Sequence, residues 1–445
     1  MRMIMKKAAL QCFVLFAALT CPCTEVAGQV SATPTISHDV PAVTTPAEIA
    51  KLPDPSGPFA IGRVGYEWTD ASRPDTFSID PVSPDAPHTP RALMVYLWYP
   101  TPQKALQSSG VYLPGAKQMD TNPAAQSLVK EEFGEAWPHI VNGDLKSHAQ
   151  ENAPIAKSPR TLPVVIFSHG LGGSGFEYTS WIEDLVSSGY VVVAIEHTYT
   201  AFAVVFPGGE VVPHRQDQTP PGLSSEQRMQ RMMTSAGLEI AQGASDVVFV
   251  LNKLNSLNRR GQKDFPLGGK LDLTRIAAAG HSAGGAYAAR ACQLDARFRA
   301  CMSLDGALPP VSAFPEFPDK KRFQQPVLLL EVDHTDDRMP FSPEQYNNFL
   351  KTKDAELKLC PPGSYDVLLK SAGMYHGSFS DYKLLALAGN RSKTKEALHN
   401  LSLIESFTRA FLDKSLNQAK EPLLDSPSHS AEAKVKEYGG SGAQP

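Results

Sequence analysis

The stretch "AAGHSAGGAYA", residues 278–288, decides the reading of this chain. It contains G-x-S-x-G as Gly280, His281, Ser282, Ala283 and Gly284. The flanks matter more than the motif, because five residues of this kind match often by chance. Before it, "RIAAAG" (275–280) has the small and apolar character of a buried strand. After it, "GGAYAARACQL" has the composition of a helix. A strand, a turn too tight for bulky side chains two positions either side of the serine, and a helix are the context of a nucleophile elbow. The bland alternative is a glycine turn with an idle serine, and the rest of the chain must separate the two.

Working outward, apolar runs alternate with helical patterns. "RALMVYLWYP" (91–100), "LPVVIFSHG" (162–170) and "YVVVAIEH" (190–197) read as strands before the motif. "FRACMSLDG" (298–306), "QPVLLLEVD" (325–333) and "YDVLLKSAG" (365–373) follow it. "EYTSWIEDLVSSG", a long stretch opened by Ser224 and Gln227 as a capping box, and "KEALHNLSLIESFTRAFLDKSL" (395–416) read as helices. Strands apolar throughout and alternating with helices predict an α/β fold, a mostly parallel central sheet with helices on both faces.

A serine needs a base, and in such a sheet the order is serine, acid, histidine. Downstream lie His334, His376, His399 and His429. His376, in "AGMYHGSFSD", follows the last strand in a glycine-flanked loop and is the expected base. Spacing leaves two acids open: Asp305 in "SLDG" and Asp333 in "LEVDHTDD". The expected oxyanion donors are the backbone N–H groups of Ala283, next to the serine, and Leu171, in the loop "FSHGLGG" (167–173). His169 in that loop precedes the serine and is read as structural.

Composition limits the rest. The chain has 445 residues, 42% hydrophobic and 20% charged, with a formal net charge of -4. That is enough for a large core, and nothing in it favours a nucleic-acid partner. Arg2, Lys6 and Lys7 precede an apolar run ending at Pro22, so residues 1–28 read as a secretory signal and the protein as secreted or periplasmic. Residues 29–56 read as a Pro/Thr/Ala-rich linker, 57–420 as the catalytic domain and 421–445 as a polar tail of low order. Beyond the leader stand Cys292, Cys301 and Cys360; Cys292 with Cys301 is the favoured disulfide, the alternative being three buried thiols. No cysteine or histidine spacing suggests zinc, and no cofactor is expected.

Four segments carry a family resemblance: "VVIFSHGLGG", "YVVVAIEHTYTA", "RIAAAGHSAGGAYAARACQLDARFRACMSLDGAL" and "SAGMYHGSFSDY". In this order they resemble the platelet-activating factor acetylhydrolase family of the plasma and intracellular type II kind. The resemblance covers roughly residues 57–420. It implies the α/β-hydrolase fold and a metal-independent serine esterase. It also implies Asp305, in Leu304-Asp305, as the acid, with Ser282, His376, Leu171 and Ala283 in the roles above. Family members often carry an aromatic after the serine, where this chain has Ala283, so acyl preference need not follow. Residues 198–245 suit a lid or substrate wall. The implied substrate is a short acyl ester, such as the sn-2 acetyl of a phospholipid, with peripheral contact to a membrane or lipoprotein surface. The alternatives are a broad carboxylesterase, lipase or polyester hydrolase, and a non-catalytic binding module on the same fold.

Overall fold

The computed structural model describes residues 51–75, 89–102, 109–157, 159–215, 222–259, 265–308, 321–334, 343–386, 390–425 and 431–439. The expected signal, and the expected linker as far as residue 50, lie outside these residues. Two long strands come first, β1 (Ala60–Pro74) and β2 (Pro90–Thr101). Three short helices follow, α1 (Ala116–Thr121), α2 (Pro123–Phe133) and α3 (Trp137–Asn142), then a two-residue β3 (Gln150–Glu151). Next are β4 (Leu162–Ser168), α4 (Thr179–Ser187), β5 (Val191–Glu196), a hairpin of β6 (Ala203–Val205) and β7 (Val211–Pro213), and the long α5 (Ser225–Leu257). β8 (Leu271–His281), α6 (Ala283–Leu294), β9 (Ala300–Leu304), β10 (Val327–Val332), α7 (Pro343–Leu357) and β11 (Ser364–Leu369) continue the alternation. α8 (Tyr382–Ala386), α9 (Arg391–Asn417), α10 (Pro422–Asp425) and β12 (Ala433–Tyr438) close it.

The main sheet runs β12-β11-β10-β9-β8-β4-β5-β2-β1-β3. From β5 through β4, β8, β9 and β10 to β11 every pairing is parallel. β2 is antiparallel to both β1 and β5, and β12 is antiparallel to β11. Strand periodicity explains why the apolar runs are continuous. Val164 and Ile166 of β4 enter one core while Val165 and Phe167 enter the other. On the first face lie Ala244, Val247, Val250, Leu251 and Leu254 of α5, at helical spacing. Trp181, Ile182 and Leu185 of α4 and Leu401, Ile404, Phe407 and Phe411 of α9 cover the second. Each Val, Leu, Ile or Phe among them contributes about 1.5–3 kcal/mol by leaving water. The capping box at Ser224 forms as expected, Ser224 Oγ accepting the Gln227 N–H at 3.1 Å.

Two features depart from the sequence reading, and a third lies where that reading made no assignment. The segment between β2 and β4 carries α1 to α3 and β3. Its helices pack Phe133 between Trp137 and Phe202, and Asn122 caps α2 ahead of Pro123. The terminal segment read as a tail of low order supplies β12, which pairs with β11 from Ser364↔Tyr438 to Leu369↔Ala433. Its exposed Lys434, Lys436 and Glu437 suit an edge strand paired on one side only. The favoured Cys292–Cys301 disulfide is not made: Cys292, Cys301 and Cys360 are all free and buried. Cys292 and Cys301 each turn the thiol to a backbone carbonyl, of Ala300 and Ala288 respectively, and burial pushes the Cys301 thiol well up.

Within 198–245 the structure describes the β6–β7 hairpin and the first part of α5, with 216–221 outside the described residues. No helix among the described residues is long and apolar enough to cross a membrane. The C-terminal ends of β4, β8, β9 and β11 open on one edge of the sheet, where ligands bind in open parallel sheets.

Candidate active site

Ser282 sits between the end of β8 and the start of α6 with φ 58 and ψ -123. A non-glycine residue at positive φ is strained and is held only where its surroundings over-determine it. Here the two motif glycines impose the turn. A Cβ on Gly280 would lie 2.1 Å from the Gly284 carbonyl oxygen. One on Gly284 would lie 2.2 Å from the carbonyl oxygen of Ser168 and 2.4 Å from that of His169. Helix and strand therefore meet backbone to backbone. The Ser282 N–H donates to Leu304 O at 2.9 Å, which ties the elbow to β9.

His376 arrives from the loop after β11, at the start of a 3-10 turn over His376–Phe379. Its Nε2 lies 3.0 Å from Ser282 Oγ, and its Nδ1 lies 2.6 Å from Asp305 Oδ2. Asp305 is the first residue beyond β9, with φ 44, in a left-handed conformation that aspartate tolerates. Its Oδ1 accepts the Val332 N–H at 3.2 Å. His334 Nε2 lies 3.1 and 3.2 Å from its two oxygens. Burial alone would push this carboxyl up, but the His334 and His376 imidazoles against it hold it well below the usual carboxylate range. Of the two acids that spacing left open, the structure brings Asp305 to His376. Asp333 ends the neighbouring strand and lies 3.5 Å from Lys370 Nζ.

The loop after β4 passes directly over the elbow, so that a Cβ on Gly170 would be 3.3 Å from Ser282 Cβ. His169 Nε2 accepts the His197 N–H at 3.2 Å, so the ring proton is on Nδ1, which donates to Gly170 O at 2.7 Å. Gly173 N–H donates to the same oxygen at 3.1 Å. In a trans peptide the N–H points opposite the C=O, so this grip turns the Leu171 N–H away from His169. Burial, with His197 beside it, lowers His169 to about 3, which keeps it neutral. Ala283 is the first residue of α6, where an N–H has no partner within its own helix.

Ser168, His197 and Asp246 repeat the serine–histidine–acid sequence of hydrogen bonds, at 2.9 Å for each link. Ser168 and Asp246 are completely buried, and Asp246 also pairs with Arg91. The array is closed to solvent, and it anchors β4 beneath the loop.

Three residues near the site escape sequence reasoning: His334, Tyr178 and His281. Tyr178 carries no motif, and His334 follows a strand but sits amid acids in "VDHTDD", which told against it as the base. His281, Asp305 and His376 hold potential ligand atoms within 4.8 Å of one another. Each imidazole nitrogen of this set already has a hydrogen-bond partner, as does the Asp305 carboxylate, so the donor set is committed within the protein.

Comparison with known proteins places these residues in context. The profile of the family described as platelet-activating factor acetylhydrolase, isoform II, matches residues 45–422. A platelet-activating factor acetylhydrolase from Cavia porcellus is 25% identical over 296 residues, 63% of this chain and 63% of that protein. A probable 1-alkyl-2-acetylglycerophosphocholine esterase from Arthroderma benhamiae is 27% identical over 274 residues, 58% of this chain and 59% of that protein. In each case the match spans less than two thirds of the relative. Among solved structures, a ferulic acid esterase from Streptomyces cinnamoneus superposes with a TM-score of 0.62 at 26% identity, covering 87% of this chain and 99% of that one. With the parallel sheet and its two helical layers, this likeness establishes the α/β-hydrolase fold.

Proposed function

The chain belongs to the platelet-activating factor acetylhydrolase isoform II family, and on that premise we propose that it is a serine-dependent carboxylic ester hydrolase. The observation that carries the reading is the unbroken run of hydrogen bonds from Ser282 Oγ through His376 to Asp305 at the sheet edge. Ser282 Oγ attacks the acyl carbon as its proton passes to His376 Nε2. Asp305 fixes the His376 tautomer and stabilises the imidazolium. The N–H groups of Leu171 and Ala283 hold the tetrahedral oxyanion; losing one such donor costs about 3–4 kcal/mol. The α6 N-terminus adds a favourable field for that charge. His376 then protonates the departing alcohol, and a water that gives its proton to His376 releases the acid.

The proposed substrate is a short acyl ester, with the sn-2 acetyl of a phospholipid as the first case, supported by the names of the family and its relatives. The ferulic acid esterase likeness supports a second reading, a broader carboxylesterase acting on non-phospholipid esters. Export is part of the proposal and rests on the basic and apolar pattern of residues 1–28; a mature N-terminus near residue 29 is the result that would bear it out.

The experiment is hydrolysis of p-nitrophenyl esters from acetate to palmitate by the wild type and Ser282→Ala, with fluorophosphonate labelling in parallel. Turnover confined to acetate and butyrate, lost in Ser282→Ala, supports the short-acyl reading. A maximum at long chains moves the substrate to the second reading. An unlabelled, inactive wild type returns the chain to a binding role.

A further inference from the structure

Between the loop over the elbow and the loop that carries the base runs a second chain of hydrogen bonds, made by Tyr178 and His281. Its direction follows from its ends. The Gly170 N–H can only donate, and Tyr178 Oη receives it at 3.3 Å. The His376 carbonyl can only accept, so His281 Nε2, at 3.1 Å, carries a proton. A neutral imidazole protonated on Nε2 has Nδ1 as its acceptor. Tyr178 Oη lies 2.7 Å from that nitrogen and donates to it. Both side chains are buried, and burial together with His376 holds His281 well below the ordinary histidine range, which keeps it neutral.

Packing fixes the same geometry. The His281 ring lies against that of His376 at 4.5 Å between centroids and stacks on Phe379 at 5.3 Å. Tyr178 ends the 3-10 turn Gly175–Tyr178, which the reciprocal Ser174 and Glu177 capping box holds. A Cβ on Gly170 would be 3.5 Å from both His281 Nδ1 and Tyr178 Oη, so the loop has little room to shift.

We propose that Tyr178 and His281 are positioning residues that set the spacing between the Leu171 amide and the His376 imidazole on either side of Ser282. This rests on the esterase reading above. The two loops come from strands β4 and β11, which are not neighbours in the sheet. Neither residue hydrogen-bonds to Ser282 Oγ or to a ring nitrogen of His376; their bonds go to each other, to the Gly170 N–H and to the His376 carbonyl. Their effect falls on the transition state, because a displacement of about 1 Å in a catalytic group costs up to about 10²-fold in rate.

The test uses the full chain and p-nitrophenyl acetate. Tyr178→Phe removes the hydroxyl, His281→Leu removes the donor to His376 O, and His281→Gln keeps a donor near the Nε2 position. The expected result is a kcat lowered by about 10–10²-fold in Tyr178→Phe and His281→Leu, with KM within about threefold of wild type. His281→Gln recovers most of the loss, and the Tyr178→Phe/His281→Leu double variant loses no more than the worse single variant. Folded variants with wild-type kcat, or a His281→Gln no better than His281→Leu, overturn the proposal. Nitrogen-15 NMR of histidine-labelled wild type gives a readout independent of activity and of variant folding. His281 must show protonated Nε2 and bare Nδ1 from about pH 5 to 9; the opposite tautomer or a titrating ring overturns it. A wild type that neither hydrolyses esters nor labels at Ser282 brings down the esterase reading and this proposal together, whereas an active wild type with unaffected variants brings down only this one.

Discussion

Asp305 Oδ2 lies 2.6 Å from His376 Nδ1 across 71 residues of chain. Asp333, at the end of the adjacent strand, instead has its carboxylate by Lys370. One strand position therefore separates the carboxylate that meets His376 from the one that does not. Asp305→Asn is expected to lower kcat/KM for p-nitrophenyl acetate by about 10³–10⁴-fold, as expected when the base loses its orienting carboxylate. Asp333→Asn is expected to cost less than about tenfold. Rates are compared at equal folded fraction, and the reverse ranking would transfer the acid role to Asp333.

The elbow glycines are a packing requirement that a stability measurement detects directly. Gly284→Ala drives a Cβ to 2.2 Å from the Ser168 carbonyl oxygen, and backbone cannot move aside cheaply. The expected cost is about 3 kcal/mol or more, read from the urea midpoint. At Gly208, in the β6–β7 turn, an added Cβ would meet nothing within 4 Å, so Gly208→Ala is the control and is expected to be near neutral. Equal effects at the two positions would refute the close strand-to-helix contact.

Glu405, on α9, supplies a pH-dependent term in stability. Burial, with Asp184 and Asp381 nearby, raises its carboxyl from 4.5 to about 8. The folded state holds the proton where the unfolded chain has released it. Its contribution is therefore full below the unfolded value of 4.5 and is lost as pH rises through the folded value of about 8. Glu405→Gln removes that loss. The melting temperature of the variant minus that of the wild type is expected to grow by several degrees from pH 5 to about pH 8 and then level off. A difference independent of pH would show that Glu405 ionises in the folded protein as freely as in the unfolded chain.

β12 protects the edge of β11. It pairs over six residue pairs, from Ser364↔Tyr438 to Leu369↔Ala433, and Tyr438 Oη donates to Asp354 at 2.8 Å. Ending the chain after Asp425 exposes that edge. The truncated protein is expected to melt several degrees lower and to scatter more light on incubation, as unprotected edges pair with other chains. Unchanged melting and scattering would mean that the last strand adds nothing to the sheet.

How far the site was legible from sequence differs residue by residue. Ser282 and His376 were, because the signals are local: a strand, two obligatory glycines and a helix for one, a glycine-flanked loop after the last predicted strand for the other. Asp305 and Asp333 were indistinguishable by spacing, since both end strands of the same sheet, and only family resemblance favoured Asp305. His334 was hidden by the acids around it, and nothing in the residues near Tyr178 points to a partner 103 positions away. β12 left no apolar run, because an edge strand with one exposed face can be polar at every other position.

The amino-acid sequence by itself determined the local chemistry of this protein. It prescribed apolar runs that can be stable only as strands covered on two faces, and a turn that only glycine at positions 280 and 284 allows. It also placed serine, acids and histidine in a workable order. The tertiary structure decided what depends on strand adjacency and loop approach. It set Asp305 rather than Asp333 against His376, left Cys292 and Cys301 as buried thiols, and joined Gly170 to His376 through Tyr178 and His281. The division has one physical reason. Backbone conformation and burial preference are encoded within a few residues, whereas a hydrogen bond between residues 71 or 103 positions apart is fixed only when the sheet brings their strand ends to one edge.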